Sequence, residues 1–418
     1  MPVNLEPANG LLPVPGIKLA TTAAGIKYAD RCDLVLLFGV ETTRCAGVFT
    51  QNSFAAAPVQ ICRMHLLAAK QIPIPEDAGQ PRALLINSGN ANAATGQAGF
   101  DDALASCSRV AKLLGLKKEQ VLPFSTGVIG ERLPMDRMFT AIDSACGKDS
   151  LSDAQWLDAA KAIMTTDTVP KGFSRQFVLD DQQITITGIA KGAGMLRPDM
   201  ATMLAFVATD ALISQPCLDQ LLQSACEQSF NRITVDGDTS TNDSLVLISS
   251  CAANHALIDT VSQSSYKTFK QELDSLCLDL AQSLVRDAEG ATRFVSILVS
   301  GGESRKECLR VAYTIAESPL VKTALFAGDP NWGRFCMAIG RAGIGDLDVA
   351  GVSLSLGDVC VARGGELVKS YSEADASRVM QQSEYCVSVD LGRGDFSEMI
   401  WTSDLSYDYV KINAEYRT

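Results

Sequence analysis

The chain has 418 residues, 47% hydrophobic and 20% charged, an ordinary globular balance with length enough for two or three domains around a large core. Its 36 basic and 48 acidic residues leave a net charge of −12, which argues against a face for nucleic acid. No stretch approaches the roughly 18 consecutive apolar residues of a membrane span, and the start MPVNLEPANGLLPVPGIKLATTAAG has neither a secretory nor an Arg-rich transit pattern, so a soluble cytoplasmic protein without nucleic-acid or membrane partners is expected.

In chain order, alternating or continuous apolar runs predict strands at CDLVLLFG from Cys32, ALLIN from Ala83, QITITGIA from Gln183, TMLAFVA from Thr202 and SLVLIS from Ser244. Helices are expected at DDALASCSRVAKLL and at SDAQWLDAAKAIM, where Ser152 and Gln155 have capping-box spacing. Two more follow at QPCLDQLLQSACEQSF and YKTFKQELDSLCLDLAQSLVRD. After about residue 300 the texture changes. Two helical segments precede GDPNWGR and another follows it. Paired strands come next around GVSLSLGDVCVARGG, then a strand at EYCVSVDL and a terminal strand through YDYVKINAEY. The pattern is a mixed α/β protein with a smaller C-terminal domain.

Several chemistries are absent from the pattern. There is no G-x-S-x-G nucleophile elbow and no P-loop; the IAKGAG segment lacks the order of a phosphate loop. DGDTSTND, from Asp236, imitates the start of an EF-hand. Thr241 replaces the needed glycine and Leu247 stands where the bidentate glutamate should be, so a hydrogen-bonded turn is the better reading. The thirteen cysteines are dispersed without a C-x-x-C pair, as in a reducing compartment. His65 and His255, the two histidines, lie in no ligand-spaced cluster, and no metal site is expected.

What remains is a surplus of hydroxyl and glycine loops: NSGNANAATG (Asn87 to Gly96), FSTGVIG (Phe124 to Gly130) and MTTDTVPKG (Met164 to Gly172). A hydroxyl nucleophile needs a base, and both histidines lie outside these loops. A threonine at a new N-terminus supplies its own, because an α-amine titrates near 7.7–8.0. Thr202 suits this role, with the Gly/Pro-containing KGAGMLRPDMA before it and a strand after it. A β-branched residue opening a strand is the plain alternative.

KGAGMLRPDMATML closely resembles the self-cleavage segment of the ornithine acetyltransferase family, the glutamate N-acetyltransferases of arginine biosynthesis. The likeness extends through NSGNANAATG, FSTGVIG, MTTDTVPK, ITVDGDTSTND, RDAEGATRF, GDPNWGRF and YDYVKINAEYRT, essentially the whole chain. Ala94, where relatives often carry cysteine, is a small departure. The resemblance implies cleavage between Ala201 and Thr202 into α (1–201) and β (202–418) chains, associated as a heterotetramer with two of each. It implies an αββα-type layered core over residues 1–300 and a C-terminal α/β domain, 301–418, completing the pocket.

The implied reaction moves acetyl from N2-acetyl-L-ornithine to L-glutamate through an acyl-threonine on Thr202, with Thr126 and Gly127 as the oxyanion hole. Thr165 or Thr166, Lys191, Glu289, Asn413 and Thr418 correspond to substrate-binding positions. Asp236, Asp238, Asn242 and Arg334 are read as structural. No cofactor is implied, although acetyl-CoA can serve some such enzymes as a second acetyl donor. An N-terminal-threonine amidase or aminopeptidase and a non-catalytic binding protein are the competing readings.

Overall fold

Strand segments that are apolar at every position, such as Leu34–Phe38, call for a sheet covered on both faces. The computed structural model describes residues 2–27, 29–70, 80–147, 149–197 and 203–415. The chain begins β1 (Ile17–Thr22), β2 (Leu34–Gly39), β3 (Arg44–Phe49), α1 (Ala57–Lys70), β4 (Ala83–Asn90), α2 (Gly96–Leu114), β5 (Val121–Val128), α3 (Met135–Ala145) and α4 (Trp156–Ala162). It continues with β6 (Lys171–Leu179), β7 (Gln182–Lys191), β8 (Leu204–Thr209), α5 (Gln215–Gln228), β9 (Ile233–Thr234), β10 (Ser244–Ser249) and α6 (Ser264–Arg286).

The first sheet has the order β1-β2-β4-β5, and its last pair is parallel. The second has the order β3-β10-β8-β7-β6, with β8 and β10 parallel. Val35, Leu37, Ile86, Leu122 and Phe124 from the first sheet meet Leu204, Phe206, Val246 and Ile248 from the second in one buried layer. Phe124 and Phe206 touch edge to face at 5.0 Å. The alternate residues point outward: Leu34, Leu36 and Leu85 pack on α2 and α3, while Val207, Leu245 and Leu247 pack on α5 and α6. The result is the expected αββα sandwich. Each such side chain contributes about 1.5–3 kcal/mol by leaving water.

The C-terminal part runs β11 (Phe294–Gly302), α7 (Arg305–Ala316), α8 (Pro319–Ala327), α9 (Trp332–Gly340), β12 (Ser353–Leu356), β13 (Val359–Arg363), β14 (Glu366–Leu367), α10 (Glu373–Met380), β15 (Glu384–Asp390), β16 (Phe396–Ser403) and α11 (Tyr407–Ala414). Its seven-stranded sheet, β14-β13-β12-β15-β11-β16-β9, has its own core against α7 to α10. The edge strand β9 comes from the sandwich half of the chain, and residue 300 falls inside β11.

Two local expectations are corrected. The helix expected from Ser152 begins at Trp156, and there is no capping box. Ser152 instead exchanges backbone hydrogen bonds with Leu19 (2.7 and 2.8 Å), and Gln155 Oε1 accepts from Thr21 N at 3.1 Å. These groups are committed to β1, so the helix starts later. The strand expected through YDYVKINAEY is the helix α11, and the strand before it is β16. Ser406 is its N-cap, accepting from Tyr409 N at 3.3 Å, with Asp408 in the first turn. Cap and docking contacts override the β-propensity of the tyrosines, Val410 and Ile412.

Because no α11 residue is buried, the cap carries much of its local stability. Ser406→Ala is expected to cost about 1 kcal/mol there. Hydrogen–deuterium exchange should then speed up roughly fivefold across residues 407–414 while the β8 amides keep their protection.

Candidate active site

β4 and β5 run parallel, so their C-terminal ends emerge at one edge of the sandwich. Leu122 and Phe124 face the inter-sheet layer, and the two-residue period carries Thr126 onto the same face. Ile189 in β7 likewise carries Lys191. At this edge opens a cleft of about 260 Å³. It gathers Thr126, Gly127, Thr165, Thr166, Lys191, Glu289 and Asn413, seven residues named from the sequence. Of the three threonines of MTTDT, Thr165 and Thr166 line it; Thr168 instead donates through N–H and hydroxyl to Asp287. Ala201, Thr202 and Thr418 lie outside the described residues.

The described chain resumes at Met203, whose N–H donates to Asp243 Oδ1 at 3.0 Å and whose carbonyl accepts from Ser244 N at 3.0 Å. Across the cleft, Gly127 has φ +136°, and a Cβ there would stand 2.2 Å from the Gly89 carbonyl carbon. Only glycine lets the ends of β4 and β5 approach this closely. Thr126, 7% exposed, lines the cleft beside Gly127.

The described start of the KGAGMLRPDMA segment is anchored by the DGDTSTND turn. Asp236 accepts from Met195 N (2.6 Å), Leu196 N (2.9 Å) and the Tyr409 hydroxyl (3.1 Å), tying loop and α11 together. Burial raises the Asp236 carboxyl, opposed by these donors. Asp238 N donates to Asp236 Oδ1, and Asn242 Nδ2 donates to the Ala91 and Ser125 carbonyls at the cleft wall. Arg334 is elsewhere, donating to Leu320 O and the Thr323 hydroxyl.

Charge enters the cleft through two lining side chains, Lys191 and Glu289. Lys191 is 5% exposed. Burial lowers its pKa; Asp167, Glu289 and Asp243 oppose that shift, and Lys171 reinforces it. Glu289 N donates to Ala193 O at 2.8 Å, while Asn413 Nδ2 reaches Glu289 Oε2 at 2.8 Å. Burial pushes Asp243 well above the usual carboxylate range, against the Met203 N–H and the Lys191 charge. Its Oδ2 has no hydrogen-bond partner among the described residues.

Sequence reasoning missed Asp167, Lys171, Asp243 and Asp287, all buried carboxylates or cations behind the cleft. The one available signal was the Asp167–Lys171 spacing of four inside MTTDTVPKG. Among the described residues, no group of three His, Cys, Asp or Glu is placed to hold a metal ion, and no helix is long and apolar enough to cross a membrane.

The model of the ArgJ family matches residues 18–418. The arginine biosynthesis bifunctional protein ArgJ of Pseudomonas fluorescens strain Pf0-1 is 50% identical over 418 residues, covering 100% of both chains. That of Pseudomonas syringae pv. tomato strain DC3000 is 49% identical over the same span. The chain belongs to the ArgJ family. Among solved structures, the ArgJ protein of Bacillus halodurans is 37% identical, covering 50% of this chain and 97% of that one, with a TM-score of 0.48. The ornithine acetyltransferase of Mycobacterium tuberculosis, solved as a complex with ornithine, is 36% identical, covering 46% and 94%, with a TM-score of 0.37.

In this ArgJ-family cleft Gly194 is a contact point as well as a loop residue: a Cβ there would lie 2.4 Å from Glu289 Oε2. Gly194→Ala should therefore displace the Glu289 carboxylate from Asn413 at little cost in stability, because the clash is with the far end of a flexible, half-buried side chain. Stability within about 0.5 kcal/mol of the parent by urea denaturation, with faster hydrogen–deuterium exchange across residues 407–414, is the expected result.

Proposed function

We propose that this cleft transfers acetyl from N2-acetyl-L-ornithine to L-glutamate through an acyl-enzyme on Thr202, within arginine biosynthesis. The observation that carries the reading is the pairing of one cation and one anion, Lys191 and Glu289, beside Thr126 and Gly127 in a chain of the ArgJ family. Acetylornithine and glutamate each present carboxylate and ammonium groups, so a lysine and a glutamate in one small cleft complement both.

The Thr202 hydroxyl attacks the acetyl carbonyl, and its proton passes to the Thr202 α-amine. The developing oxyanion takes hydrogen bonds from the Thr126 hydroxyl and the Gly127 N–H. Losing one such donor typically costs about 2.7–4 kcal/mol. Collapse breaks the C–N bond, and the α-ammonium returns its proton to the departing ornithine amine. The glutamate amine then attacks the threonine ester, and the same groups act in reverse. Thr165, Thr166, Asn413 and Thr418 complete the substrate pocket, with α11 as one wall that limits water.

The nucleophile requires cleavage between Ala201 and Thr202, and the two chains remain associated as a heterotetramer in the cytoplasm. Support for a held N-terminus comes from Met203, one peptide bond later, whose amide and carbonyl are both engaged. An amidase would use the same nucleophile without an acceptor, and the paired charges of the cleft favour an amino-acid acceptor instead.

A denaturing gel with N-terminal sequencing tests the first step: two pieces of similar size are expected, the second beginning TMLAFV, and one intact chain in active enzyme would refute the mechanism. Thr202→Ala should lose both cleavage and transfer. With labelled N2-acetyl-L-ornithine, label should appear in N-acetylglutamate only when glutamate is added, whereas rapid acetate release without acceptor would mark a hydrolase. Acetyl-CoA as sole donor in the same assay distinguishes the bifunctional form from the single-donor form.

A further inference from the structure

Behind the cleft wall lies a fully buried ionic cluster. Lys171 Nζ donates to Asp167 Oδ1 at 2.7 Å and to Asp287 Oδ2 at 2.6 Å, and the three side chains are 0–1% exposed. The cluster also holds backbone. Asp167 accepts from Thr165 N (2.9 Å) through Oδ2 and from Gly192 N (2.7 Å) through Oδ1. Asp287 accepts from Thr168 N at 2.9 Å and lies two residues before Glu289. Three segments that line the cleft, around Thr165, Lys191 and Glu289, are thus joined through one set of charges.

The cluster carries two carboxylates and one ammonium. Lys191 lies next along the chain from Gly192, is buried, and forms no ion pair with a described residue. A buried ammonium without a direct partner is costly unless nearby carboxylates supply counter-charge. We propose that Asp167 is a positioning residue for acetyl transfer: through the Lys171–Asp287 cluster it fixes the Thr165 and Gly192 backbone and supplies the counter-charge that keeps Lys191 cationic toward substrate carboxylate. Two positive and two negative groups then balance, and the excess negative charge of the cluster is what Lys191 answers.

The charged groups facing Lys191 are Asp167, Glu289 and Asp243, which favour its ammonium form, and Lys171, which opposes it. The signs follow. Asp167→Asn removes a counter-charge and moves the Lys191 titration to lower pH. Adding Lys171→Met removes the opposing cation and moves it back. A purely structural role predicts the reverse ranking, because the double variant disrupts two buried groups.

The inference rests on the acetyl-transfer reading for its kinetic arm, while a chemical arm needs no activity. Brief pulses of labelled acetic anhydride, followed by peptide mass spectrometry, follow the neutral fraction of Lys191 against pH. In the wild type the half-point should fall below the ordinary lysine value of about 10.4. In D167N labelling at pH 8 should be up to about tenfold faster, returning to within about twofold of wild type in D167N/K171M. In parallel, kcat/KM for N2-acetyl-L-ornithine at pH 9 should fall in D167N mainly through KM, and recover in the double variant. Equal labelling of D167N and wild type, or a double variant that matches the single one, overturns the proposal. Should D167N not fold, K171M alone serves: it removes the opposing cation, so Lys191 labelling at pH 8 should slow, and labelling equal to or faster than wild type overturns the proposal. A wild type that transfers no acetyl refutes the acetyl-transfer reading alone.

Discussion

Two sheets whose central strands, β2, β4, β5, β8 and β10, are covered on both faces leave no exposed residue along those strands, and the rest of the molecule follows from that constraint. Backbone groups are paired within the ladders, and side chains such as Val35, Phe124, Phe206 and Ile248 fill the space between the sheets. An ionisable group can reach substrate only at a strand end. Thr126 and Lys191 stand there because each continues the inward-facing register of its strand one step past the last residue of the inter-sheet core, Phe124 and Ile189. The parallel pair β4 and β5 places two glycine-containing strand ends side by side, and the close contact of Gly89 with Gly127 shapes the cleft wall.

The C-terminal domain reaches this site by a different kind of contact. α11 buries none of its residues. It is held by the Ser406 cap, by the Ser406 hydroxyl on Gly290 O, by Tyr409 on Asp236 and by Asn413 on Glu289. Such bonds are worth about 0.5–1.5 kcal/mol each, far less than the packing of the sandwich. A wall joined this way can loosen without unfolding the core, which suits a cleft that must admit one amino acid and release another.

Half of the sixteen strands among the described residues were legible, because a covered strand writes itself as a short, largely apolar run; β1, β3, β5, β6, β9, β11, β14 and β16 went unread. SLVLIS corresponds residue for residue to β10, and QITITGIA lies within β7. The errors occurred where a local signal was spent elsewhere. Ser152 and Gln155 look like a helix cap in isolation, but β1 takes both. Tyr407 to Ile412 look like a strand, yet the Ser406 cap and two side-chain bonds to distant carboxylates make a helix. Of the site, the hydroxyl and glycine loops were visible as candidates, and family likeness supplied their roles. The Asp167–Lys171–Asp287 cluster left almost no trace, since a buried lysine and a solvated one are the same letter.

The sequence by itself determined the layered α/β class, the stock of hydroxyl and glycine loops, and the family, because periodicity and long ordered motifs are properties of the chain alone. Tertiary structure decided which carboxylates surround Lys191, why Gly127 must lack a side chain, and how α11 meets Glu289. Those features depend on segments distant in sequence, such as Asp167 and Asp287, which lie 120 residues apart and are both brought within hydrogen-bond distance of Lys171. Electrostatic interaction depends on distance and burial, and neither is written in the order of the residues.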